Sequence, residues 1–77
     1  MTTLTLSLGE HAGVRPQDLV GAITGEARIA GRQVGSIEIA DRFSLVDVDS
    51  DVAEGVVRAL RSCKIKGRRA AVRRADG

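Results

Sequence analysis

One aromatic side chain, Phe43, stands among 77 residues, with no tryptophan or tyrosine. A hydrophobic core must therefore be assembled from Leu, Ile, Val and Ala, the larger of which contribute about 1.5–3 kcal/mol each when buried. A single cysteine, Cys63, excludes an internal disulfide. Secreted domains of this size usually need such staples, so the expected setting is a reducing cytoplasm. No apolar run approaches the roughly 18–20 residues that cross a bilayer. The N-terminal stretch alternates Thr with Leu where a signal peptide would carry a basic head and an apolar block. Membrane and secretory classes are set aside on these grounds. One histidine, His11, beside Glu10 makes neither a zinc site nor a catalytic triad, and reads as a solvated loop residue. Cys63 has no histidine near it in sequence and follows an apolar helical stripe, which makes it a buried or half-buried structural thiol rather than a nucleophile. Asp47, Asp49 and Asp51 echo the start of a calcium loop. Val52 and Arg58, however, stand where that loop needs its glycine and its last glutamate, so helix capping is the reading preferred. No metal, no cofactor and no catalytic pair is expected.

What is present is the balance of a water-soluble globule, 43% hydrophobic and 29% charged, in a chain long enough for one small core. A single domain over 1–77, with its core over about 3–74, is the expectation. The formal charge of +2 hides an asymmetry. Residues 1–63 hold six Arg against nine acids, net −3, whereas 64–77 hold six Lys and Arg against one Asp, net +5. Clustering of this kind favours a polyanionic partner more than the whole-chain charge suggests.

Thr3 to Leu8 alternates without a fault and predicts a half-buried strand near 3–8. Pro16 and Asp18 suit a first helical turn, and Leu19, Val20 and Ile23 share a face, predicting a helix near 16–24 ended by Gly25. Alternation returns near 35–40 and 43–48, interrupted by Asp41-Arg42. Val52, Ala53, Val56, Val57 and Leu60 mark a second helix near 51–61, with Asp51 and Glu54 spaced as a capping box. Lys64 to Gly67 reads as a short extended piece and turn, and a last strand is expected near 68–74. The order βαββαβ is satisfied by an α+β, ferredoxin-like fold: a four-stranded antiparallel sheet with two helices on one face. Alternation then leaves Thr3, Thr5, Ser7, Ser36, Glu38, Phe43, Leu45, Asp47, Arg69, Ala71 and Arg73 on the open face.

An apolar platform of Phe43 and Leu45 beside a basic fourth strand is the arrangement by which single-stranded RNA is read, bases stacking while Lys and Arg engage phosphates. Asp41-Arg42-Phe43-Ser44-Leu45-Val46-Asp47-Val48 has the cadence of the RNA recognition motif's third-strand signature, with Leu45 and Val48 where that signature has aromatics. With Leu8-Gly9, Gly13 to Ile23, Gly35 to Ile39 and Lys64-Ile65-Lys66-Gly67-Arg68-Arg69, that segment resembles the DbpA-type RNA-binding domain from about Thr3 to Arg74. The resemblance implies an atypical RNA recognition motif attached to the C-terminal side of a bacterial DEAD-box ATP-dependent RNA helicase, directing the covalently linked helicase core to structured RNA, in some members ribosomal RNA during ribosome assembly. Thr5, Leu45 and Ala71 depart from the family's usual aromatic, aromatic and basic residues, while Arg68, Arg69, Arg73 and Arg74 keep the basic strand. The chain carries no G-x-x-x-x-G-K-[ST] loop and no Asp-Glu-Ala-Asp run, so by itself it is expected neither to hydrolyse ATP nor to unwind RNA.

The RNA-contact residues expected are Phe43, Leu45, Lys64, Lys66, Arg68, Arg69, Arg73 and Arg74, with Arg42 and Arg15 as lone basic candidates. The bland alternatives are a lateral apolar patch for Phe43, a solvated edge for the basic run and structural ion pairs for Arg15 and Arg42. The competing function is a protein-interaction module on the same scaffold, favoured by Glu38 and Asp47, which repel phosphate.

Overall fold

Alternation of Thr with Leu in Thr2–Leu6 (β1) turns Leu4 and Leu6 inward, where both are completely buried. The computed structural model, which describes residues 1–75, places β1 in the interior of one sheet. Helix Pro16–Glu26 (α1) follows, then strands Val34–Ile39 (β2) and Ser44–Val48 (β3), helix Ala53–Ser62 (α2) and strand Val72–Arg74 (β4). The strand order is β2-β3-β1-β4 with every pairing antiparallel. This is the ferredoxin-like α+β arrangement expected from the element order. Leu19 and Ile23 from α1 and Ala53, Val56 and Leu60 from α2 meet Leu4, Leu6, Val46, Val48 and Val72 in one core. Ile37 and Ile39 are only half-buried, because β2 is an edge strand.

Local chemistry accounts for the boundaries that differ from expectation. Helix α1 opens with Pro16, and the Arg15 amide donates to Asp18 Oδ2 at 2.9 Å, closing half of a capping box. Its end runs through Gly25 to Glu26, and Arg28 takes the left-handed turn instead, with φ 56°. The Asp51–Glu54 box does not form. A 3-10 turn, Ser50–Val52, precedes α2, and the Asp49 side chain accepts from the Asp51 amide at 3.3 Å while Glu54 meets Arg58 at 3.4 Å.

The fourth strand is much shorter than the expected 68–74. Lys66 and Gly67 both adopt positive φ (54° and 76°), a pairing that suits a tight two-residue hairpin turn. The turn locks Ile65 to Arg68 through reciprocal backbone bonds of 2.8 and 3.0 Å, and regular pairing with β1 resumes only at Val72. Phe43 lies just ahead of β3, where the Ala40 amide donates to the Phe43 carbonyl at 2.8 Å and closes the β2–β3 hairpin. Gly9 is buried beneath that turn, and a Cβ there would lie 2.3 Å from the Ala40 carbonyl oxygen and 2.7 Å from the Phe43 amide nitrogen. Only glycine fits. At the start of β3 the buried Ser44 hydroxyl donates to the Leu8 carbonyl at 2.6 Å, which leaves no orphan acceptor where β1 ends.

Candidate functional site

Strand register arranges the open face in cross-sheet rows. Glu38 stands beside Leu45, Leu45 beside Thr5 and Thr5 beside Arg73, so one row runs from an acid on β2 to a base on β4. The neighbouring row pairs Thr3 with Asp47, and the Thr3 hydroxyl donates to Asp47 Oδ1 at 2.6 Å. On the other side of the central row, Ser7 and Ala71 are joined twice. The Ser7 amide donates to the Ala71 carbonyl at 3.0 Å, and the Ala71 amide donates to the Ser7 hydroxyl at 2.8 Å.

Two of these rows open into a concavity of about 750 Å³ lined by Thr5, Ser7 and Ala71 together with Phe43 and Arg42 from the hairpin turn and Arg73 from β4. Phe43 keeps 46% of its surface exposed. Arg42 is exposed to solvent, and its contact with Asp41, at 3.9 Å between side chains that are both about 80% exposed, holds it only weakly. Arg61 of α2 also lines this concavity. Its Nε donates to the Val72 carbonyl at 3.0 Å, capping the outer side of the edge strand. Arg61 is not among the contact residues expected from the sequence. Its position in the last turn of α2, next to the basic segment, was the available signal.

The remaining basic candidates are dispersed. Arg74 registers with inward-facing Leu4, so it emerges on the helix side and lines a second concavity of about 440 Å³ with Glu54, Val57, Arg61 and Arg73. Lys66 reaches Asp18 Oδ1 at 3.5 Å, tying the hairpin tip to the start of α1. Lys64, Arg68 and Arg69 are exposed along the turn and the segment after it, outside both concavities. Arg15 borders a smaller hollow of about 350 Å³ beside Pro16 and Ile39. Leu45 is half-buried and lies in a shallow depression of about 170 Å³ with Glu38 and Asp47.

His11 is exposed and its Nδ1 lies 2.9 Å from the Asp41 carbonyl oxygen. Cys63 is half-buried at the end of α2, its Sγ 3.7 Å from the Leu60 carbonyl. Burial, and secondarily the Glu26 carboxylate, push the thiol above its ordinary range, against a smaller lowering by a backbone hydrogen bond. Among the described residues no three His, Cys, Asp or Glu side chains converge on a metal position, and no helix is long and apolar enough to cross a membrane.

An aromatic ring ringed by arginines on the open face of a ferredoxin-like sheet invites comparison with nucleic-acid binders, and the DbpA RNA binding domain matches residues 3–74. The chain belongs to that family. A DbpA RNA-binding domain is a binding unit and not a catalytic one. Among its relatives, an uncharacterized protein of Treponema pallidum (strain Nichols) is 32% identical over 78 residues, covering 97% of this chain and 34% of that protein. The ATP-dependent RNA helicase DbpA of Escherichia coli (strain K12) is 36% identical over 73 residues, covering 95% of this chain and 16% of the helicase. The DbpA domain here thus spans about a third of one relative and about a sixth of the other.

Proposed function

We propose that this DbpA domain binds structured RNA through the Phe43, Arg42 and Arg73 end of its open sheet face, and that it serves as the module directing a DEAD-box ATP-dependent RNA helicase to its substrate. Ribosomal RNA in the cytoplasm is the substrate class and setting that this reading takes. The observation that carries it is the concavity of about 750 Å³ in which one exposed ring and several guanidinium groups meet. A ring there can stack one base, a contribution of about 1–3 kcal/mol. Thr5 and Leu45 supply no further rings, so phosphate contacts by arginine and lysine carry most of the affinity, and Leu45 adds apolar surface only. Arg68, Arg69 and Lys64 extend the basic field along the approach to β4, whereas Lys66 and Arg15 contribute through the field rather than from the concavity. The domain needs no cofactor or metal for this.

Titration of one hairpin RNA at two salt concentrations tests the reading, using folded Phe43→Ala, Arg69→Ala with Arg73→Ala, and all three together. Log K for the parent should fall with log salt. Removing an arginine that engages a phosphate should weaken different RNAs alike and lower the slope by about one. Phe43→Ala should cost less than the arginine pair. Abolished binding in Phe43→Ala at both salts, with the arginine pair behaving like the parent, would overturn the charge-led account. Absence of salt-sensitive binding by the parent at low ionic strength would instead favour a protein-interaction module, the reading that Glu38 and Asp47 on the same face support.

A further inference from the structure

We propose that a second phosphate-binding track lies on the flank formed by α2 and β4, and that an RNA strand leaving the Phe43 concavity turns over the β4 edge instead of continuing across the sheet toward β2. The proposal rests on the RNA reading above and adds the path of the strand. Its ligand is the phosphodiester backbone next to the base held at Phe43.

Several observations carry it. The concavities of about 750 and 440 Å³ share Arg61 and Arg73, so they adjoin at the edge of the sheet. Consecutive arginines straddle that edge: Arg73 registers with Thr5 on the open face, Arg74 with Leu4 on the helix face. Because β4 is an edge strand, no further strand among the described residues lies along the passage. Arg61 is already oriented there by its Nε bond to the Val72 carbonyl, which leaves its terminal nitrogens for a ligand. Among the described residues no carboxylate lies within ion-pair distance of Arg61, Arg73 or Arg74. The acid on this flank, Glu54, has Arg58 at 3.4 Å to offset it. In the opposite direction a phosphate would meet Glu38 and Asp47 in the depression around Leu45, with no basic side chain lining it.

The test uses a hairpin RNA with a single-stranded tail, titrated at two salt concentrations against Arg74→Gln, Arg74→Lys, Glu54→Gln and Glu38→Gln, each checked for folding by circular dichroism. Arg74→Gln should weaken binding about fivefold, the size of one well-placed ion pair, and lower the salt slope by about one. Arg74→Lys should restore the slope. Glu54→Gln should tighten binding, and Glu38→Gln should leave it nearly unchanged. Unchanged affinity and slope in Arg74→Gln and Glu54→Gln, or tightening in Glu38→Gln alone, would overturn the track while leaving RNA binding at the sheet face intact. Failure of the underlying reading looks different, since the parent itself would then show no salt-sensitive RNA binding.

Discussion

Over β2 and β3 the open face carries Glu38 and Asp47, with Leu45 half-sunk between them; over β1, β4 and the hairpin turn it carries Arg42, Arg73 and the exposed ring of Phe43. The two halves also differ in how they are held. In the basic half an added Cβ at Gly9 would run into backbone atoms beneath the hairpin turn and Ser7 is bonded twice to Ala71, whereas in the acidic half an added Cβ at Gly35 would first meet the Met1 side chain. Glu38 and Arg73 stand in one row three strands apart, about 14 Å at the usual strand spacing. That exceeds the Debye length of about 8 Å at physiological salt. The acids therefore do not cancel the basic half. They mark where a polyanion is not welcome, and one small sheet thereby has a direction built into it.

The largest effect should come from reversing the basic half. Arg42→Glu with Arg73→Glu is expected to weaken hairpin RNA about a hundredfold or more, since the proposed contacts would lose two charge-assisted hydrogen bonds of about 1.5 kcal/mol each. A weakening below about tenfold in a titration of the folded variant would break the comparison. Next comes the scaffold. Gly9→Ala puts a methyl group into the Ala40 carbonyl and should cost about 1–3 kcal/mol in urea unfolding, while Gly35→Ala, which meets the movable Met1 sulfur, should cost less than about 1 kcal/mol. Equal costs at the two glycines would show that the halves are held alike. The smallest effect belongs to the acidic half. Asp47→Asn keeps an acceptor for the Thr3 hydroxyl and should tighten RNA less than about twofold at physiological salt, rising as salt is lowered.

Much of this is legible in the sequence. Strict alternation around Leu4, Leu6, Val46 and Val48 fixes which side of each strand is buried, and the stripe through Val56 and Leu60 needs no tertiary information to be read as a helix face. The basic segment is legible as charge but not as shape. The turn expected within Lys64 to Gly67 forms at Lys66 and Gly67, but the periodicity of 68–74 reads as one strand, whereas Arg68 is held in a bridge to Ile65 and regular pairing begins only at Val72. The same turn carries Lys66 to Asp18, a contact between residues far apart in the chain that local pattern does not encode. Arg61 escapes a sequence reading for a related reason. Its role depends on an edge-strand carbonyl that exists only once α2 has docked against β4.

Cys63, half-buried where α2 gives way to the basic segment, bears the one thiol of this chain. Alkylating reagents attack the thiolate, and burial together with the Glu26 carboxylate keeps that form scarce in the closed arrangement. Iodoacetamide should therefore consume the thiol more slowly in the folded domain than in the urea-unfolded chain, so its rate reports whether the end of α2 is packed. The joint between the helix layer and the arginine-rich tail thus carries its own chemical reporter, readable by mass spectrometry without introducing a label anywhere else.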